Sequence, residues 1–149
     1  MNKLKTILTT ALLAALLQSC AMVEEYGTVA CGGAHRLQVV DLRMSPDPVA
    51  EGQRIDRWLV RLRADSSGEC RTMIRLREDD SNDLIGQERV YLLRPGTNDI
   101  VIEPNERYRF SRNEHCFMVA ANIEGTAKRV DASRRFCAKQ SGGRRWTMK

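Results

Sequence analysis

Histidine and aromatic residues are scarce in this chain. Two histidines, His35 and His115, and an aromatic content of 5% serve all 149 residues. A Ser or Cys nucleophile needs a base within hydrogen-bond reach, and so few imidazoles leave little to build one from. A zinc centre would have to rest on cysteine, yet no two cysteines stand at C-x-x-C spacing, so no metal ligand is expected. Also missing are G-x-S-x-G, a P-loop and H-E-x-x-H, and no pattern singles out a carboxylate pair among the acidic residues. The acidic run at 78–83 lacks the glycine and distal glutamate of a calcium loop and reads as solvated. These gaps exclude the common catalytic and cofactor classes and leave the expectation of a non-enzymatic chain with no cofactor.

The one substantial apolar run lies at the very start. Lys3 and Lys5 precede apolar residues from Ile7 to Leu17, and Leu17-Gln18-Ser19-Cys20 follows. The run is shorter than the ~20 residues that span a bilayer, and with its charged start it has the form of a secretory signal. The cysteine after a small residue resembles a bacterial lipobox. That resemblance implies a signal peptide over 1–19, a diacylated (palmitate-type) Cys20 as the new N-terminus, and a lipidated tether over 20–34. Ala21 after the cysteine implies the outer membrane, with the domain facing the periplasm. Formal charge is +5, and loss of Lys3 and Lys5 leaves roughly +3, too mild a bias to argue nucleic-acid binding.

With Cys20 lipidated, Cys31, Cys70, Cys116 and Cys137 remain. An even number in a small exported domain reads as two disulfides with three connectivities.

Beyond residue 35 the pattern is short alternation broken by turns. Residues 36–44 change phase between Val39 and Val40, which predicts a bulge. Ser45-Pro46-Asp47-Pro48 interrupts pairing, and Glu51-Gly52-Gln53 turns. Residues 55–64 place Trp58, Val60, Leu62 and Ala64 on one side and arginines on the other. Residues 70–77 repeat this with Thr72, Ile74 and Leu76 inward. Val90 and Leu92 are expected inward in a strand over 85–93, and a short strand at 100–102 follows the turn Pro95-Gly96-Thr97-Asn98. Tyr108 and Phe110 fall in a crossover, then strands at 115–123 and 130–138 form a hairpin. No helix pattern appears after the signal. The expectation is an all-β chain, an antiparallel β-sandwich of about seven strands over 35–140, with a barrel as the competing closure. Residues 141–149 read as a flexible basic tail whose Arg144, Arg145, Trp146 and Lys149 either fray or touch anionic lipid.

Residues 37–123 resemble the immunoglobulin-like domains of bacterial surface proteins, the cell-adhesion-related type called CARDB. Carrying the likeness are Leu42-Arg43-Met44-Ser45-Pro46-Asp47-Pro48-Val49, Glu51-Gly52-Gln53, the alternation from Trp58 to Ala64 ending at Gly68, and Leu93-Arg94-Pro95-Gly96. The four cysteines depart from that family. The resemblance implies an immunoglobulin-like binding or spacer module without catalytic residues, partnered by the membrane and an unknown envelope protein or polymer, not nucleic acid. The L-x-P-G turn is also similar to that of the outer-membrane lipoprotein of type VI secretion, implying an assembly role. A periplasmic hydrolase inhibitor is a third expectation for a small disulfide-bonded lipoprotein.

Two site expectations follow from the strand order. If the strands at 70–77, 85–93 and 115–123 are neighbours, Arg71, Met73, Arg75, Arg77, Tyr91 and Met118 form one outward face, either a partner surface or a solvated face. Alternating strand direction brings Cys31 near Cys70 at one end and Cys116 near Cys137 at the other. Pairing Cys116 with Cys137 also sets Phe117 against Phe136 and Ile123 against Val130, so one register serves the whole hairpin.

Overall fold

In the computed structural model, residues 36–126 and 129–149 are described. The signal segment, Cys20, the tether and Cys31 lie outside the described residues. Among the described residues nine strands form two antiparallel sheets, and no helix occurs. β1 (Arg36–Ser45), β3 (Arg57–Asp65) and β6 (Gly96–Ile102) make a three-stranded sheet in the order β1-β3-β6. The larger sheet runs β2-β9-β8-β7-β4-β5, from β2 (Val49–Ala50), β9 (Arg145–Met148), β8 (Ala132–Ser141), β7 (Glu114–Ile123), β4 (Cys70–Glu78) and β5 (Arg89–Leu93).

Alternation explains which faces meet. Trp58, Val60, Leu62 and Ala64 of β3 are all buried, as are Thr72, Ile74 and Leu76 of β4. Trp58 meets Phe117 of the opposite sheet edge-to-face, with centroids 5.1 Å apart, so the two inner faces share one core. The phase change in β1 is a bulge: Val39 pairs with Leu62, Asp41 with Arg61, and Val40 is passed over. Inward positions are therefore Val39, Leu42 and Met44, three residues apart across the bulge and two beyond it. Arg134 of β8 donates to the Val40 carbonyl at 2.7 Å, so the larger sheet satisfies a group near the bulge.

Several sequence expectations are corrected. Leu92 faces outward and is 57% exposed; the inward residues of β5 are Leu93, opposite Cys70, and Tyr91, opposite Thr72. Val130 is not a strand residue and is 43% exposed. In its place Asp131 folds back, its main-chain N–H bonding the Ala121 carbonyl and its carboxylate accepting from the Ile123 N–H.

The largest correction is the end of the chain. Residues 141–149 are no loose tail: β9 inserts between β8 and β2, with Trp146 opposite both Gln140 and Val49. Trp146 is 2% exposed, stacks on Phe110 at 5.4 Å, and donates its indole N–H to the Arg112 carbonyl at 2.6 Å. It is not available to a lipid surface. Arg144 makes two hydrogen bonds to Glu51 at 2.7 and 2.8 Å, and the Lys149 N–H bonds the Cys137 carbonyl.

Candidate functional site

The final hairpin has the register that its apolar residues require. Cys116 pairs with Cys137 and Phe117 with Phe136, and the two sulfurs form a disulfide with the Cα atoms 4.1 Å apart. The cysteines are on the outer face, as expected, although Cys116 is buried there. Glu114 lies beside both sulfurs, but those sulfurs are bonded to each other and the carboxylate meets Lys139 at 3.1 Å. Cys70 is also in a disulfide, and its partner lies outside the described residues.

The outer face of the larger sheet brings together most of the expected partner residues. Arg71, Met73, Arg75 and Arg77 project from β4, and Met118 of β7 is opposite Arg77. Tyr91 does not join them, since its position opposite Thr72 turns it inward, where it packs against the core and bonds the Val101 carbonyl. Val90 and Leu92 take its place, opposite Met73 and Arg71. Each arginine has an acidic neighbour: Arg71 meets Glu124 at 2.6 Å, while Arg75 and Arg77 share Glu88 at 3.1 and 3.8 Å. Beyond Met118, Arg135 pairs with Asp79. The face is thus a lattice of cations and anions around exposed Leu92 and half-buried Met73, Val90 and Met118.

A second cluster was not anticipated. Glu78 is the last inward position of β4, and His115 shares the inward phase of Phe117 on β7. Both are buried, with His115 2% exposed. Two main-chain N–H groups, of Ser111 and Arg112, donate to Nε2 at 3.0 and 2.9 Å. That nitrogen must therefore carry a lone pair, which puts the ring proton on Nδ1. Nδ1–H faces the Glu78 carboxylate at 2.7 Å and the Tyr108 hydroxyl oxygen at 2.9 Å. Tyr108 donates its own proton to Glu78 at 3.4 Å, Arg112 donates at 2.6 Å, and Ser81 at 3.1 Å.

The electrostatics follow from these bonds. Burial pushes the Glu78 carboxyl up, but hydrogen bonds from His115, Arg112 and Ser81 outweigh it and hold the group below the usual carboxylate range. Burial, reinforced by the Glu78 charge and hydrogen bond, drives the Tyr108 hydroxyl far above its ordinary value. Glu78, Tyr108 and His115 look like acid–base machinery in composition. In geometry they are a lock: both ring nitrogens are bonded to the protein, and the crossover between β6 and β7 is tied to β4. The sequence pattern alone assigns His115 no role. The usable signal was phase, because strict alternation from Cys70 carries an acidic residue to an inward position at Glu78.

No protein-family model matches the chain, and no curated protein matches it. Among solved structures the chain is similar to part of a Ruminococcus gnavus β-glucuronidase, solved with uronic isofagomine, at 16% identity and a TM-score of 0.38. The match covers 69% of this chain and 15% of the glucuronidase, a distant likeness that carries no argument about activity.

Proposed function

We propose that the protein is a non-enzymatic envelope lipoprotein, held in the bacterial outer membrane by acylated Cys20, whose sandwich binds a protein or polymer of the periplasm. The anchor rests on the N-terminal signal and on Cys20 after Ser19. The observation that carries the binding role is the outer face of β4, β5 and β7. There Met73, Val90, Leu92 and Met118 sit among Arg71, Arg75 and Arg77, a mixture of apolar and guanidinium groups suited to an interface. The most reactive-looking cluster, around His115, turns inward and spends its bonding capacity on the fold, which favours a surface role over a catalytic one.

Photo-crosslinking from positions 92 and 118 in intact cells tests this reading. The expected result is a discrete captured partner, lost when the photoreactive group is moved to position 63 on the opposite face and reduced when Cys20→Ser releases the protein from the membrane. Equal, diffuse labelling from positions 92, 118 and 63 would refute it.

A further inference from the structure

The geometry points to a second binding site, a mixed-charge cleft at one end of the sandwich that takes a short peptide carrying both a free ammonium and a free carboxylate. The cleft holds about 330 Å³ between the β2–β3 loop and the start of the β6–β7 crossover. Its apolar lining is Ile55, which is buried, and Pro104, which is half-buried. Around them stand Arg54, Asp56, Glu106 and Arg109.

The charges lining this cleft are of two kinds. Glu103 is paired with Arg89 at 3.2 Å, as Arg61 is with Asp99 and Arg71 with Glu124 on the sheet faces. The side chains of Arg54, Asp56 and Glu106 make no hydrogen bond or ion pair among the described residues, although opposite charges line one depression. They are too far apart to satisfy one another, so a ligand with both charges can bridge them. Asp56 and Glu106 are acceptors for an ammonium. Arg54 presents a full guanidinium to a carboxylate, and Arg109 adds its remaining N–H groups, since only its Nη1 is engaged, by the Glu106 and Tyr108 carbonyls.

The wall is rigid, which binding requires if ordering is not to consume the affinity. Asn105 bonds the Leu84 carbonyl, and Pro104 forms a bridge with Gly86. A Cβ at Gly86 would come within 2.7 Å of Ile102, so only glycine permits this close approach. Further along the same crossover, His115 and Trp146 hold residues 111 and 112. Loops at the end of a sandwich, on a fixed scaffold, are where such domains commonly bind.

The test is a nuclear magnetic resonance titration of the full-length protein in detergent micelles with tri-alanine, following the side-chain amides of Gln87 and Asn105. Saturable shifts are expected with free tri-alanine, and acetylating its N-terminus or amidating its C-terminus should each weaken binding about tenfold or more. Arg54→Gln should sharply reduce discrimination against the amidated peptide alone, since Arg109 supplies only part of the carboxylate's partners. The double variant Asp56→Asn, Glu106→Gln should abolish discrimination against the acetylated one alone. These exposed positions leave the fold intact, which the unchanged amide spectrum of the core strands will verify. Absent shifts at millimolar peptide, equal binding of the doubly blocked peptide, or the same shifts with neutral chitotriose would each overturn the assignment.

Discussion

Arg112 and Arg75 both end on a glutamate, yet the two pairs occupy different surroundings. Arg112 reaches Glu78 at 2.6 Å where the carboxylate is nearly buried and also serves His115, Tyr108 and Ser81. Arg75 meets Glu88 at 3.1 Å with both side chains open to water and Arg77 sharing the same carboxylate. Water screens the second pair and can replace either partner at little cost. At the first, Arg112 is itself half exposed, but the Glu78 carboxylate and the His115 ring it meets are shielded, so removing Glu78 strands the others. The same two residue types therefore hold the fold in one place and merely dress its surface in the other.

Glu78→Ala breaks the buried side of this comparison and should have the largest effect. It leaves the His115 Nδ1–H, the Tyr108 hydroxyl and one arm of Arg112 without their acceptor, a loss of about 3 kcal/mol. Urea unfolding should show a much lower midpoint with an unchanged slope. A loss below about 1 kcal/mol would mean that the network contributes no more than a surface pair.

Acid sharpens the contrast next. Glu78 in the folded protein sits below its ordinary value of 4.5. As pH falls through the usual carboxylate range, the unfolded chain takes up this proton while the folded one does not, so stability falls. The contribution is fully present above that range and disappears as pH drops through the lowered folded value. Glu78→Gln should remove that part of the pH dependence. Parallel acid titrations of the variant and the unaltered protein, followed by tryptophan fluorescence, check it.

The smallest effect belongs to the exposed side. Arg71→Gln, Arg75→Gln and Arg77→Gln should each alter stability by about 0.5 kcal/mol or less, with the melting transition nearly in place. The same variants should lower the yield of the cross-linked partner. A large drop in melting temperature instead would make these arginines structural.

Much of this architecture was legible because a strand's period is strict. Trp58 to Ala64 and Thr72 to Leu76 alternate without exception, so their burial followed directly from the sequence. The β7–β8 register was also legible, since a single alignment pairs Phe117 with Phe136 and Cys116 with Cys137. Val90-Tyr91-Leu92-Leu93 was not, because a continuous apolar run fits either phase and only the pairing with Thr72 and Cys70 decides it. β9 was missed for another reason. A basic stretch after two glycines has little local preference for a strand, and its pairing with β8 and β2 supplies what propensity lacks. The buried node was hidden because polar residues at a strand end look like the start of a loop. The end cleft was invisible in sequence, since Arg54 and Glu106 converge only through the fold.

The placement of β9 also sets an order of events. Val49 is made early and must wait for Trp146, far along the chain, before its strand has a neighbour. Local hairpins such as β7–β8 can close as soon as their own residues exist, but the far edge of the larger sheet cannot. A chain emerging N-terminus first therefore carries Val49 uncovered until β9 has followed it. The larger sheet is complete only from that moment, and a chain cut short before β9 would stay open along that edge.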